Sequence, residues 1–365
     1  MERRIGATLL LAAVLLPAFV GVGSAALPPG PRLAVVSVRD PEWTQLFTVD
    51  PQGGARESLY ALSAAKAPTA VYPFSPPSWS PDGTRIAFTT LDDEFPGFGN
   101  TGTSIATISA AGGPIKAIPG TANGFDPVYS PDGRTLAFAK QREKDSPSGG
   151  ADHRFEGVSI WLADLRTGKS RPLTPWRNGT FDFPGSFSPD GSRLAISRKI
   201  GGKPSDAVEI GLDGKTIRVL ARNAYEPIYS PDGSSIALLR GPDKEVTRHF
   251  PPSGRLRLSA RFTDIFVMSA SGGRLRRLTH TPRGVEETPR WDPSGKVLSY
   301  TEWRPFDYGK EPSGVQESVG FGFSKAVQVI NADGTCPTTI LSGLDSMYSA
   351  AVWQPGARAA SPIAC

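Results

Sequence analysis

The chain has 365 residues and is 39% hydrophobic, with 40 Gly and 35 Pro. That is enough apolar content for a sizeable core and too little Gly and Pro for a low-complexity chain. The net charge of +5 is not gathered into a Lys/Arg stripe, so there is no nucleic-acid signature; the balance suits an acidic partner or an anionic envelope surface.

The N-terminus reads as an export signal. Arg3 and Arg4 precede an apolar run from Ile5 to Val22, and Ser24-Ala25-Ala26 offers a small-residue cleavage site. Residues 1–26 are expected to be the signal and 27–365 a single domain. The mature chain is expected in the periplasm, the cell envelope or the medium, as a monomer with no stable membrane insertion. No Cys follows the cleavage site, which argues against a lipid anchor. In an exported chain the two cysteines, Cys336 and Cys365, read as one disulfide, with two free thiols as the alternative.

Strand signals begin at once: Leu33–Val38, Leu46–Val49 with a turn at Gly53-Gly54, then Ser58–Leu62. A repeated segment follows, "SWSPDGTRIAFT" from Ser78, "VYSPDGRTLAFA" from Val128, "SFSPDGSRLAIS" from Ser186 and "IYSPDGSSIALL" from Ile228. Two degenerate copies, "RWDPSGKVLSYT" from Arg290 and "VWQPGARAA" from Val352, complete the series. Each full copy reads as strand, Pro-Asp-Gly turn and alternating strand, with Gly at the φ > 0 position. Short apolar strands trail the copies (Ser104–Ser109, Val158–Leu162, Val208–Ile210, Ile265–Met268, Val327–Ile330), each running into a second Gly turn and a closing strand. The units are therefore four-stranded antiparallel meanders, and their turn prolines lie 42 to 62 residues apart. That period predicts an all-β, six-bladed β-propeller. The copy at Val352 supplies one strand, and the N-terminal segment supplies the other three of that blade.

The pattern of aromatic, Ser, Pro-Asp-Gly, then Ile/Leu-Ala-Phe resembles the TolB-type propeller repeat, a WD40-like repeat, over essentially the whole mature chain. The resemblance implies the propeller fold and says little about function. TolB carries an α/β domain ahead of its propeller; Leu27 to Arg32 leaves no room for one, so such a domain is expected to be missing.

Function is expected in the connections between second and third strands. Four are long (Leu91–Gly102, Gln141–Gly157, Gly241–Phe262 and Arg304–Ser324), and their blades predict two walls flanking a groove on one face. One wall is acidic through Asp92, Asp93 and Glu94. The other is basic through Arg248, Arg255, Arg257 and Arg261. Asp126, Asp182, Glu226 and Glu287 approach the innermost strands, where they are expected to line the mouth of a central channel and attract a cation or an amine. His153, His249 and His280 are the only histidines; with Asp152, Glu286 and Glu287 nearby they form a candidate set for a divalent metal. Oligogalacturonate lyases, propellers of similar repeat, carry a His-ligated metal at such a face. No Gly-x-Ser-x-Gly is present, so the hydrolase domain that accompanies peptidase propellers is not expected. The sequence thus points to an exported, non-catalytic binding scaffold without cofactor, whose partner is an envelope or extracellular protein, peptide or glycan. The alternative is a metal-dependent lyase or hydrolase acting on an extracellular polysaccharide.

Overall fold

The computed structural model describes residues 31–39, 43–63, 69–71, 75–92, 102–142, 156–241, 243–250, 254–261, 263–281, 284–305, 323–342, 346–356, 362–363 and 365. In chain order, β1 (Leu33–Arg39), β2 (Trp43–Val49) and β3 (Glu57–Ser63) come first. They are followed by β4 (Thr69–Val71), β5 (Ser78–Trp79), β6 (Arg85–Asp92), β7 (Gly102–Ser109) and β8 (Lys116–Ala117). Next come β9 (Gly124–Tyr129), β10 (Thr135–Arg142), β11 (Gly157–Asp164) and β12 (Ser170–Pro172). Then follow β13 (Thr180–Phe187), β14 (Arg193–Ile200), β15 (Asp206–Gly211) and β16 (Thr216–Ala221). After these are β17 (Ala224–Tyr229), β18 (Ser235–Arg240), β19 (Asp243–Phe250), β20 (Gly254–Arg261), β21 (Asp264–Ser269) and β22 (Arg276–Arg277). The last are β23 (Val285–Trp291), β24 (Val297–Pro305), β25 (Phe323–Asn331), β26 (Thr338–Ser342) and β27 (Ser346–Trp353).

Four antiparallel blades stand as separate sheets. They are β27-β1-β2-β3, β17-β18-β21-β22, β23-β24-β25-β26, and a blade of β6, β7 and β8 whose inner edge is shared by β4 and β5. The first joins the two ends of the chain, β1 pairing with β27 from Leu33↔Trp353 to Arg39↔Ser346. Strands β9 to β16 form one eight-stranded sheet, not the two blades expected, because β11 and β13 meet in a parallel bridge at Val158↔Phe181. A second departure is the connection after β18. Residues 241–262, expected as a loop, hold a regular hairpin in which β19 pairs β20 from Asp243↔Arg261 to Phe250↔Gly254.

The repeat explains the packing. Ile86-Ala87-Phe88, Leu136-Ala137-Phe138, Leu194-Ala195-Ile196 and Ile236-Ala237-Leu238 are all fully buried. These strands are thus covered on both faces, where the alternation alone predicts one. The small face of each takes the large face of the next: Ala87 packs with Leu136 and Phe138, Ala137 with Leu194 and Ile196, and Ala195 with Ile236 and Leu238. At the chain ends, Ala34 and Val36 pack with Ile86 and Phe88, while Leu33, Val35 and Trp353 pack with Val297 and Val327.

The Ser-Pro-Asp-Gly turns are built by their own side chains. Ser80 Oγ donates to Asp82 Oδ1 at 2.5 Å and accepts from Arg85 N at 3.0 Å, while Thr84 N donates to the same Asp82 oxygen at 3.0 Å. Gly83 sits at φ 67°, where a side chain would be strained. Ser130/Asp132, Ser188/Asp190 and Ser230/Asp232 repeat the arrangement. Where the copy degenerates to Asp-Pro-Ser-Gly the roles exchange, and Asp292 Oδ1 accepts from Lys296 N and Val297 N, both at 2.9 Å. The repeated aspartates are therefore structural.

Cys336 and Cys365 form a disulfide with Cα atoms 5.1 Å apart. Beside it, Asn331 clasps the tail, accepting from Ile363 N at 2.8 Å and donating to Ile363 O at 3.0 Å. The bond closes a loop containing β26 and β27 over a separation of 29 residues. Cys336→Ser is expected to lower stability by roughly 3–4 kcal/mol through the greater freedom of the unfolded chain. Thermal melting with and without the substitution tests this; unchanged midpoints would contradict it.

Candidate functional site

Three of the expected carboxylates meet. Asp126 lies on β9, Glu226 on β17 and Glu287 on β23, each an end strand of its sheet. Glu226 experiences the charges of Arg290, Glu287 and Asp126, and Asp126 that of Arg290, so these side chains converge where the end strands face one another. All four residues are half-buried. They keep some accessible surface while the surrounding sheets desolvate them.

The local sequence sets this geometry. Asp126, Glu226 and Thr288 each precede a proline (Pro127, Pro227, Pro289) and stand three places before Tyr129, Tyr229 and Trp291. Each has a left-handed backbone, with φ of 54°, 49° and 53°, and each coincides with a register shift in its ladder. These are bulges, and the following proline keeps the residue out of the right-handed helical region. Left-handed backbone costs about 1–2 kcal/mol at a non-Gly residue, but it turns each N–H toward an acceptor outside its own strand. Asp126 N donates to Ser75 Oγ at 2.9 Å, Glu226 N to Ser197 Oγ at 2.7 Å, and Thr288 N to Glu226 Oε2 at 2.9 Å.

Burial dominates the electrostatics. It raises Asp126 to about 6, against the Ser75 hydrogen bond and the Arg290 charge. It raises Glu226 to about 7, with Arg290 opposing and Glu287 and Asp126 reinforcing. Burial also lowers Arg290, offset by Glu226 and Asp126. Arg290 donates through Nη1 to Pro289 O at 2.8 Å, and Asp126 Oδ1 is buried with no hydrogen-bond partner among the described residues. Such a cluster can bind charged groups and exchange protons near neutral pH.

The other expected residues fall elsewhere. Asp182 is sealed in a two-pronged pair with Arg198, at 2.7 and 2.9 Å. Glu286 is fully buried and faces away, accepting from Ile265 N at 2.9 Å and from the hydroxyls of Thr281 and Thr279; burial raises it to about 7. It ties β23 to β21 and serves the fold. Arg248, Arg255, Arg257 and Arg261 lie on the β19–β20 hairpin. Its register puts Arg255 opposite His249, Arg257 opposite Thr247 and Arg261 opposite Asp243. Asp92 ends β6 opposite Gly102. Asp93, Glu94, Asp152 and His153 lie outside the described residues. His280 is exposed, and among the described residues no group of three or more His, Cys, Asp or Glu is placed to hold a metal ion. Arg290 was not anticipated; the signal for its surroundings was the acidic residue before proline at one fixed offset from the repeat aromatic.

No family model matches the chain. Among solved structures it is similar to TolB from Acinetobacter baumannii, with a TM-score of 0.60 and 20% identity over 89% of this chain and 67% of that one. The fold is a TolB-like β-propeller. This TolB-like propeller is also similar to a chain of the nidogen/laminin complex, with a TM-score of 0.53 and 12% identity over 90% of this chain and 100% of that one. In sequence the TolB-like propeller is 27% identical to the uncharacterized peptidase YuxL of Bacillus subtilis over 240 residues, 64% of this chain and 30% of that protein. The match thus takes in less than a third of that relative's length.

Proposed function

We propose that this chain is an exported, non-catalytic binding propeller whose partner, an envelope or extracellular protein, peptide or glycan, seats over the channel mouth on the face of the long connections. The observation that carries the reading is the grouping of Asp126, Glu226, Glu287 and Arg290 from three end strands, within reach of one another's charge. The cluster lies near the β9 and β17 ends that share a face with the connection after β10 and with the β19–β20 hairpin. A rigid rim with charge held at its centre is suited to recognition.

The ring is read as six-bladed, with the eight-stranded sheet counted as two blades. Support comes from turn glycines that pack on the turn proline of the preceding copy, Gly133 on Pro81, Gly191 on Pro131, Gly233 on Pro189 and Gly295 on Pro231, with Gly83 beside Pro355. Trp79 Nε1 also donates to Val352 O at 2.8 Å. Export is part of the same reading, supported by the apolar run after Arg3-Arg4 and by the disulfide.

Capture from an envelope extract on immobilised mature protein, read by mass spectrometry, tests the reading. Arg255→Glu with Arg257→Glu is expected to cut recovery of the captured partner tenfold or more while leaving the melting midpoint unchanged. Equal recovery by the variant and the parent protein would overturn the assignment of that face.

A further inference from the structure

Strand β16 ends the eight-stranded sheet, and among the described residues it pairs only with β15. Its other side therefore offers backbone N–H and C=O groups to a further strand. The large hydrophobic side chains exposed among the described residues are Ile200, Ile217 and Val219. Two of the three stand on β16, at 52% and 43%. Their neighbours turn inward: Arg218 Nε donates to buried Glu209 Oε2 at 2.8 Å, and Leu220 packs against the core of Ile236 and Met268. The end strands of the other units are closed to this use. β8 and β22 have two residues each, and β12 has three and ends in Pro172. β3 packs Leu59 and Tyr60 into one core, and β26 packs Ile340 and Leu341 into another beside Ile363 of the tail.

Charge says what fits there. Lys215 and Arg222 flank the apolar pair, and each is more exposed than the acid it pairs with, 87% against 58% for Asp213 and 78% against 27% for Asp206. Asp206 is also engaged by Asn223 N at 3.0 Å, and Asp213 by Lys215 N at 3.0 Å. Exposed Arg171 of β12 adds a third cation, donating to Leu212 O at 3.4 Å beside the turn that leads into β16. We propose that β16 docks an extended segment of a partner protein as an added strand. That segment carries two apolar β-branched residues at alternate positions and an acidic residue beyond each end. The main-chain ladder holds it, Ile217 and Val219 read its apolar pair, and Lys215 and Arg222 fix its ends. The ladder to β15 shifts register twice, leaving Ile217 and Leu220 without a direct partner. Such bulges bend the strand and discourage pairing with any flat edge, so the side chains must match. A second copy of this chain fits poorly, since antiparallel pairing of two β16 edges sets Lys215 against Arg222. The inference goes beyond the reading above, because it uses none of the residues that reading assigns.

The test uses the mature chain and a fluorescent peptide, Gly-Asp-Thr-Val-Thr-Val-Thr-Asp-Gly, followed by anisotropy. Two control peptides carry Lys in place of both Asp, or Pro in place of the central Thr, which removes a ladder donor. The acidic peptide is expected to bind saturably and each control at least tenfold more weakly. Ile217→Lys with Val219→Lys is expected to weaken the acidic peptide tenfold or more at an unchanged melting midpoint. Lys215→Glu with Arg222→Glu is expected to reverse the preference toward the Lys peptide. No saturable binding, equal binding of the acidic and Lys peptides, or undiminished binding of the Pro peptide overturns the proposal. So does full binding by the folded Ile217→Lys, Val219→Lys protein. A dimer of the parent chain in sedimentation that this double substitution abolishes also overturns it, in favour of a second copy. Arg255→Glu with Arg257→Glu should leave peptide binding untouched, so failure here and failure of the binding face are separate results.

Discussion

Deletion of residues 347–365 is expected to abolish cooperative unfolding. Strand β27 supplies an end strand of the sheet whose other three strands are β1, β2 and β3. Without it, β1 loses its ladder partners from Leu33 to Val38 and becomes an exposed edge. The cut also removes buried Tyr348, Ala350, Ala351 and Trp353. Trp353 and Ala351 belong to the same core as Val297 and Val327, and Ser299 Oγ of β24 donates to Ala351 O at 2.6 Å. On the other side, Trp79 loses its acceptor at Val352 and Gly83 O loses the donor Gln354 Nε2. Loss of one large buried aromatic alone costs about 3–5 kcal/mol, against a total stability of about 5–15 kcal/mol for a folded domain. The truncated chain should therefore lack near-ultraviolet ellipticity and a sigmoidal melt. A melt matching that of the intact chain would refute the joining of the two ends.

The second large effect is on pH. Asp126, Glu226 and Glu286 are raised in the fold to about 6, 7 and 7, from ordinary values of 3.8, 4.5 and 4.5. A carboxyl that is raised on folding stabilises the fold while protonated, and that contribution is lost as pH rises through its folded value. The turn aspartates behave oppositely. Hydrogen bonds from Ser80, Ser130, Ser188 and Ser230 lead the causes that lower Asp82, Asp132, Asp190 and Asp232, with Asp190 at about 2. Their contribution is present above 3.8 and lost as pH falls below it. Stability should thus peak near pH 4, with the melting midpoint falling by roughly 3–6 °C from pH 5 to pH 8. It should fall again below pH 4. Asp126→Asn with Glu226→Gln should flatten the upper limb, leaving the part due to Glu286. A midpoint that rises steadily from pH 5 to pH 8 would be incompatible with these carboxyls being buried.

The elements that could be read from the chain were those built by neighbours in sequence. Ser-Pro-Asp-Gly specifies its turn because Ser, Asp and the following amides lie within five residues of one another. The cysteine pairing was legible for a different reason: only one partner existed. The site was half legible. Asp126 and Glu226 stood out at one offset from the repeat aromatic and Glu287 one place further away, but Arg290 occupies a place filled by Val128, Ser186, Ile228 and Val352 in other copies, and nothing nearby marks it as a counter-ion. The hairpin at residues 243–261 was read as a loop because its charges and the Pro251-Pro252 pair obscure the alternation that its register reveals.

Local chemistry and periodicity, then, determined the strands, the turns, the four-stranded unit and the sharing of one sheet by head and tail, because each depends on residues adjacent in sequence or on a repeat still legible in its two degenerate copies. The tertiary structure decided which units fuse into a continuous sheet, that the Ala face of one strand receives the large face of the next, and that carboxylates far apart in sequence share one arginine. Those outcomes depend on distances across the molecule and on exclusion of water, and neither quantity is carried by any single stretch of the chain.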